Sequence, residues 1–405
     1  MSVFEPRTFS TDWEVMVIDR MDRWLDTAKC DALAGALRSE LDLPVHADWD
    51  AVEFGLGVNR SLEEFWRRVC RATDRAAEVV HELDCDLFPT GAHPVGEQFL
   101  ASHVHVGSIH DEAEGIHIEN QVLRYVPAFA ALAANSPFSH YRRGAMKSYR
   151  VQHLAHGCTE PSSVREPERC QSTWGGDAAP KIYGVPTMEV RIIDGASSRR
   201  LLAEMATFIA AFLHHQGDRV TRTRPTCAQY REAMTNRWLA ARDGMQATFR
   251  WDGRPRPVVE MLDEMLDACR DALARLGAKR GDLWLIGQMI RKRICQADFA
   301  AELGTRYADP HLLLCAYSKM VRHWAVFDGW AGKARALEPV PPPDQEAILA
   351  EHLAYVGEGT HAYRVREAMY YPAPATDRLI EQMVGRGWVT REVTASRGTL
   401  LHRVP

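Results

Sequence analysis

The sequence predicts an α+β fold, with short strands charged on one face in the first half of the chain and helices dominating the second. Two observations carry this. Alternation recurs in Asp12-Trp13-Glu14-Val15-Met16-Val17-Ile18, Ala51-Val52-Glu53-Phe54-Gly55, Ser102-His103-Val104-His105-Val106-Gly107 and Thr187-Met188-Glu189-Val190-Arg191-Ile192-Ile193-Asp194. A period of two puts Asp12 with Glu14, His103 with His105, and Glu189 with Arg191 on common faces. From Thr226 onward, apolar residues instead recur at i, i+3 and i+4. That spacing predicts helices over Thr226 to Met245, Pro257 to Leu276, Leu283 to Leu303 and Pro310 to Val326, packed on the outer side of the sheet.

In chain order, the first strand runs from Ser10 to Asp19, its face acidic at the start and apolar at the end. Thr27 to Leu41 has helical spacing (Cys30, Leu33, Leu37, Leu41), and Ala51 to Val58 is a second strand bearing Glu53. Ser61-Leu62-Glu63-Glu64 is a capping-box sequence that opens a helix to about Leu83. Leu87 to Pro94 is a short strand entering a Gly/Pro loop, and its His93 is a loop histidine of a kind found more often on the surface than in a site. After the His103 strand, a helix over Ile116 to Ala134 stops before Pro137. The basic stretch Tyr141 to Arg150 fits a solvated loop or a contact for polyphosphate. Gly157 to Pro180 reads as a long loop able to cover a site. Arg199 to Gln216 is a helix whose His214-His215 pair is structural.

Pro339-Val340-Pro341-Pro342-Pro343 is a stiff stretch and marks the domain boundary: a catalytic body over 1–336, a linker over 337–343 and a tail over 344–405. Within the tail, helices over Asp344 to Tyr355 and Thr376 to Val384 precede a hairpin of Trp388-Val389-Thr390-Arg391 with Thr399-Leu400-Leu401-His402, a winged-helix-like order. Glu351, Glu358, Glu367, Asp377 and Glu381 offset its arginines, so nucleic acid is not the expected partner.

Composition narrows the class. The chain has 405 residues, 46% hydrophobic and 25% charged, enough for a catalytic body with one appendage, and its net charge of −5 gives no general attraction to nucleic acid or anionic membranes. No segment is apolar for the roughly 20 residues of a membrane helix, and Met1 to Pro6 lacks a basic region followed by an apolar run, so a cytoplasmic location is expected. Nine cysteines without a Cys-x-x-Cys argue against a disulfide framework or structural zinc; most are expected to be reduced core residues.

The motifs, taken in order, resemble a known family. Asp12-Trp13-Glu14, Glu53, Pro89-Thr90-Gly91-Ala92-His93-Pro94, His103 to Gly107, Ala134-Asn135-Ser136-Pro137-Phe138, Ser148-Tyr149-Arg150, Met188-Glu189-Val190-Arg191 and Asn236 to Gly244 look like the carboxylate-amine ligase branch of the glutamate-cysteine ligases, over roughly residues 9 to 305. The resemblance implies a glutamine-synthetase-like fold: an antiparallel sheet forming a funnel, helices behind it, and ATP and several Mg²⁺ ions within. One departure matters. The family usually opens with three glutamates, of which the last matches Glu14; here Asp12 and Trp13 precede it. The middle residue of such a run faces away from the acidic side, so both outer carboxylates are kept and a metal site remains feasible.

Joining a carboxylate to an amine in water requires activation, and transfer of the γ-phosphoryl group of ATP would supply it as an acyl phosphate. Oxygen ligands suit Mg²⁺. Asp12, Glu14, Glu53, Glu189 and one of His103 or His105 would hold two or three such ions. Arg191 and Arg150 are the expected catalytic cations on the phosphoryl group or substrate carboxylate, with Arg142 behind them, and Asn135 and Ser136 would orient substrate. The expected partners are ATP and a small carboxylate and amine, with homo-oligomerisation open. Two alternatives stay beside this reading: a phosphotransferase of the guanidino-kinase type, and a non-catalytic nucleotide-binding protein.

Overall fold

Strand β1 (Thr8–Asp19) is the axis of the molecule, because it pairs with three other strands of one sheet. With β2 (Val45–Asp48), β3 (Ala51–Gly55), β4 (Cys85–Phe88), β5 (Ser102–Gly107), β8 (Ala178–Lys181) and β9 (Thr187–Val190) it builds a seven-stranded sheet, ordered β2-β3-β1-β5-β9-β8 with β4 also on β1. Every pairing in it is antiparallel. The intervening β6 (Phe138–Ser139) and β7 (Arg142–Arg143) form a separate small hairpin. The computed structural model describes residues 8–20, 26–48, 51–93, 98–107, 109–139, 142–143, 146–153, 177–181, 186–219, 225–307, 310–321, 324–341, 360–361, 380–387, 389–394 and 398–403.

Local signals hold where they were strong. Helix α1 (Thr27–Leu41) buries Cys30, Leu33, Leu37 and Leu41 as its spacing predicts. Helix α2 (Leu62–Glu82) starts on Ser61, whose side chain accepts from Glu64 N, but Glu64 returns its carboxylate to Arg60 N and not to Ser61 N. The helix expected over Ile116 to Ala134 is two, α3 (Glu112–Val122) and α4 (Val126–Ala133). Pro127 in the first turn of α4 is the reason: it has no N–H to donate and its ring blocks a continuous helix through Leu123. Then follow α5 (Tyr149–His153) and α6 (Arg199–Gly217). Nearly all of α6 is buried, and it packs on α2, α3, β1 and β5 as the centre of the helical layer.

Beyond α7 (Cys227–Asp243), the hairpin β10 (Thr248–Trp251) and β11 (Arg254–Pro257) is one that helical spacing does not announce. Its signal is Asp252-Gly253, at φ 49° and 78°, a two-residue turn that needs two positive φ values. The helix expected from Pro257 divides at Cys269 into α8 (Val258–Ala268) and α9 (Arg270–Arg275). That expected from Leu283 divides into α10 (Trp284–Lys292) and α11 (Gln296–Arg306), with Arg293 at φ 56°. Helices α12 (Pro310–Val321) and α13 (Val326–Lys333) follow. The chain then stays tied to the body: Leu337 N donates to Lys292 O at 2.8 Å and Val340 N to Gln246 O at 2.8 Å, so the supposed linker is held as far as Val340.

In the tail, β12 (Thr360–His361), β14 (Gly398–Arg403) and β13 (Val389–Thr394) form a three-stranded sheet in that order, with Thr390 opposite His402. The helix expected over Asp344 to Tyr355 lies outside the described residues, as does most of the loop expected from Gly157. The end of that loop is a correction, since Ala178–Lys181 is strand β8. Among the described residues, Cys30, Cys70, Cys85, Cys269, Cys295 and Cys315 are in no disulfide, four of them buried, and no helix is long and apolar enough to cross a membrane.

Candidate active site

The period of two along β1 sorts its side chains. Phe9, Thr11, Trp13 and Val15 are buried, whereas Ser10, Asp12 and Glu14 are partly open. Trp13 turns away from the acidic side, packs on Phe54 and Trp324 with ring centroids 5.3 and 5.1 Å away, and donates its indole N–H to Ala196 O. Pairing then brings the other charged residues onto the open side: Asp12 lies opposite His103, Glu14 opposite Glu53, and His105 opposite Glu189. Residues far apart in sequence thus share one face because antiparallel partners point the same way.

Glu189, 1% exposed, is the hub of this face. Its Oε1 lies 2.9 Å from Arg191 Nη1, 3.1 Å from Lys181 Nζ, 3.4 Å from His105 Nε2 and 3.5 Å from His103 Nδ1. His105 Nε2 is also 2.9 Å from Asp12 Oδ2, while its Nδ1 contacts Thr187 Oγ1 at 3.1 Å. Despite these short approaches, the buried Nε2 has no aligned hydrogen-bond partner. Burial pushes the Glu14 carboxyl up to about 7, against the pull of Arg150 and a hydrogen bond from Ala101 N. Burial also raises Glu53, with Asp12 and Asp48 adding to it, and holds the His103 imidazole well below its ordinary value, neutral near pH 7.

Carboxylates that resist ionising, beside a buried imidazole nitrogen with no aligned hydrogen-bond partner, are a donor set that suits a hard cation. Among the described residues, no three histidine, cysteine or acidic side chains already converge as a metal cage. Glu189 is held by Arg191 and Lys181.

Arg150 comes to the same face from α5. It is 5% exposed, donates from Nη2 to Arg191 O at 2.8 Å, and lies 3.8 Å from Asp194 Oδ1. Asn135 and Ser136, expected to orient substrate, lie buried in the layer beneath this face. They are 0% and 1% exposed, and their groups are used internally: Asn135 N and Ser136 Oγ each donate to Asp194 Oδ2 at 2.8 Å, and Asn135 Nδ2 donates to Gly195 O at 2.7 Å. A fully buried amide with satisfied bonds has nothing to offer a solvent-borne ligand. Gly91 makes room for Asp194, since a Cβ there would stand 2.3 Å from its Cγ. His93 is buried beside Phe88, not on the surface, and the side chain of Arg142 lies outside the described residues.

Two residues escape a reading by pattern. Lys181 hides behind Pro180 in a stretch that looks like loop, and Asp194 follows the strand whose alternation had already ended. Their only signal is position: Lys181 is the last residue of β8, and Asp194 lies four residues beyond the end of β9.

A family model described as glutamate-cysteine ligase family 2 matches residues 95–157 and 178–304. Over those residues the chain is similar to that family. A provisionally named glutamate–cysteine ligase 2 of Clavibacter sepedonicus is 26% identical over 275 residues, covering 54% of this chain and 70% of the relative. The solved glutamate–cysteine ligase of Francisella tularensis in complex with AMP has a TM-score of 0.57 at 12% identity, over 94% of this chain and 98% of that one. A bifunctional glutathione synthetase from Pasteurella multocida gives 0.56 at 10% identity, over 79% of this chain, which spans only 52% of that longer protein. At such identities the structural likeness establishes the fold alone: this chain has an α+β fold built on an antiparallel sheet, shared with those proteins.

Proposed function

We propose that this protein is an ATP-dependent carboxylate–amine ligase, with glutamate and cysteine as the first substrate pair to test because similar proteins carry those substrates in their names. The observation that carries the reading is the charge-divided sheet face, on which Asp12, Glu14 and Glu53 stand beside Arg150, Arg191 and Lys181 around buried Glu189. Such a face accepts a polyanion and a cation together. Asp12, Glu14, Glu53, Glu189 and His103 or His105 would hold two or three Mg²⁺ ions, which would neutralise phosphate charge when bound.

The chain's own groups do the rest. Arg191 and Arg150 face the γ-phosphoryl group as a substrate carboxylate oxygen bonds to phosphorus and the bond to ADP breaks, giving the acyl phosphate. Charge spreads over the equatorial oxygens in that transition state, where fixed guanidinium groups stabilise it more than the ground state. The amine then attacks the acyl carbon, phosphate leaves, and the amine's proton passes to a base.

Calorimetric titration tests the first half: Mg-ATP should bind, and ATP in EDTA should bind far more weakly. Equal affinities would overturn the metal assignment. ADP release with glutamate, with and without cysteine, tests the second half. Release that needs the amine supports ligation, release without it supports the guanidino-kinase alternative, and none leaves a nucleotide-binding protein.

A further inference from the structure

Neither Arg150 nor Arg191 is placed by its own helix or strand alone, and the bonds that place them meet at one residue outside the site. Arg237, on α7 and 8% exposed, forks onto Asp177 with Nε at 2.6 Å from Oδ2 and Nη2 at 3.2 Å from Oδ1. Its third nitrogen, Nη1, donates to Val151 O at 2.6 Å, one residue beyond Arg150. The main-chain oxygen of Asp177 in turn accepts from Arg191 N at 2.8 Å and Ile192 N at 3.3 Å. Arg150 Nη2 closes the circuit on Arg191 O at 2.8 Å.

The bonds therefore form a ring that runs Arg237, Val151, Arg150, Arg191, Asp177 and back. Helix α7 is a firm base for it: Ala241 O accepts from Lys147 N and Ser148 N, both at 2.8 Å, and so fixes the start of α5. Only a guanidinium has the planar fork and the spare donor to bind a carboxylate bidentately and a carbonyl at once. A lysine could keep the charge but not both ends of the ring.

We infer that Arg237 is a positioning residue, which with Asp177 sets the distance between the two site arginines without touching substrate. The inference rests on the proposed ligase reading for the work of Arg150 and Arg191, but not for their placement. Its test is Arg237→Lys in the full chain, with Asp177→Asn as the milder second variant, since that change keeps the Asp177 main-chain oxygen. Amide hydrogen exchange of the unliganded protein should quicken at least tenfold at Arg191 and Ile192 while the amides of β1 keep their protection and the melting temperature stays within a few degrees. In ADP release with Mg-ATP, glutamate and cysteine, kcat should fall at least tenfold with KM for ATP changed less than threefold. Unchanged exchange at Arg191 in both variants overturns the inference, as does a loss of protection spread equally over β1. If the wild type releases no ADP, the ligase reading falls, and the exchange result still decides the placement.

Discussion

Replacing Arg191 by alanine separates catalysis from stability, because the structure supplies a substitute for one job and none for the other. Arg191 Nη1 lies 2.9 Å from Glu189 Oε1, and its side chain is 26% exposed against 2% for Glu189, so solvent screens the pair from the arginine side. An ion pair of that kind contributes about 1 kcal/mol or less. Lys181 Nζ remains 3.1 Å from the same oxygen, so Glu189 is not left as an uncompensated buried charge. The melting temperature of Arg191→Ala should therefore fall by no more than about 4 °C. Turnover has no such substitute: loss of a fixed charge aimed at the transition state costs on the order of 100-fold, or about 2.7 kcal/mol of barrier. The assay is ADP release at saturating Mg-ATP with glutamate and cysteine, run beside thermal melting. Glu189→Gln is the control, and it should weaken Mg-ATP binding as well as rate, because it removes the charge that both cations and both histidines face. Turnover within threefold of wild type in Arg191→Ala would refute the role given to this arginine.

Glu14 provides a pH prediction: its carboxyl is raised from 4.5 to about 7, so the folded chain keeps a proton that the unfolded chain has released, and metal-free stability should fall as pH rises through that window. Mg²⁺ competes with the same proton, so its affinity measured by calorimetry should rise about tenfold from pH 6 to pH 8, and pH-independent affinity would remove Glu14 from the ligand set. Glu204 accepts from Leu285 N at 3.2 Å and Ile286 N at 2.9 Å at the start of α10, so Glu204→Ala should lose about 2 kcal/mol in urea unfolding with Mg-ATP affinity intact. An unchanged urea midpoint would show that those amides find other partners. We propose that residues 344–405 are an appended unit; a chain ending at Pro341 keeps the bonds of Leu337 and Val340 to the body and should retain the main thermal transition, whose loss would make the tail part of the core.

What could be read before any coordinates were those features that repeat locally. The faces of β1, the apolar stripe of α1 and the Ser61 start of α2 follow from periods of two and 3.6 and from one cap, all written within a few residues. The same alternation placed Asp12 with Glu14 and His103 with His105, and it sent Trp13 to the core. Where one local rule was outvoted by another, the pattern misled: Pro127 cuts a helix that apolar spacing joins, and Asp252-Gly253 inserts a hairpin between two helical stretches.

The sequence by itself thus determined which faces carry charge, the order of the main elements and the resemblance to a ligase family. Only the tertiary structure decided which charges meet. Register across β1, β5 and β9 brings Asp12, His105 and Glu189 together over nearly the whole first half of the chain, and no local period records it. Lys181 joins them, and Asn135 and Ser136 leave them for Asp194, because a hydrogen bond depends on what approaches through space and on whether water is excluded there. The ring through Arg237 and Asp177 is of the same kind: residues 60 positions apart close it, and their chemistry becomes visible only when the chain has folded around them.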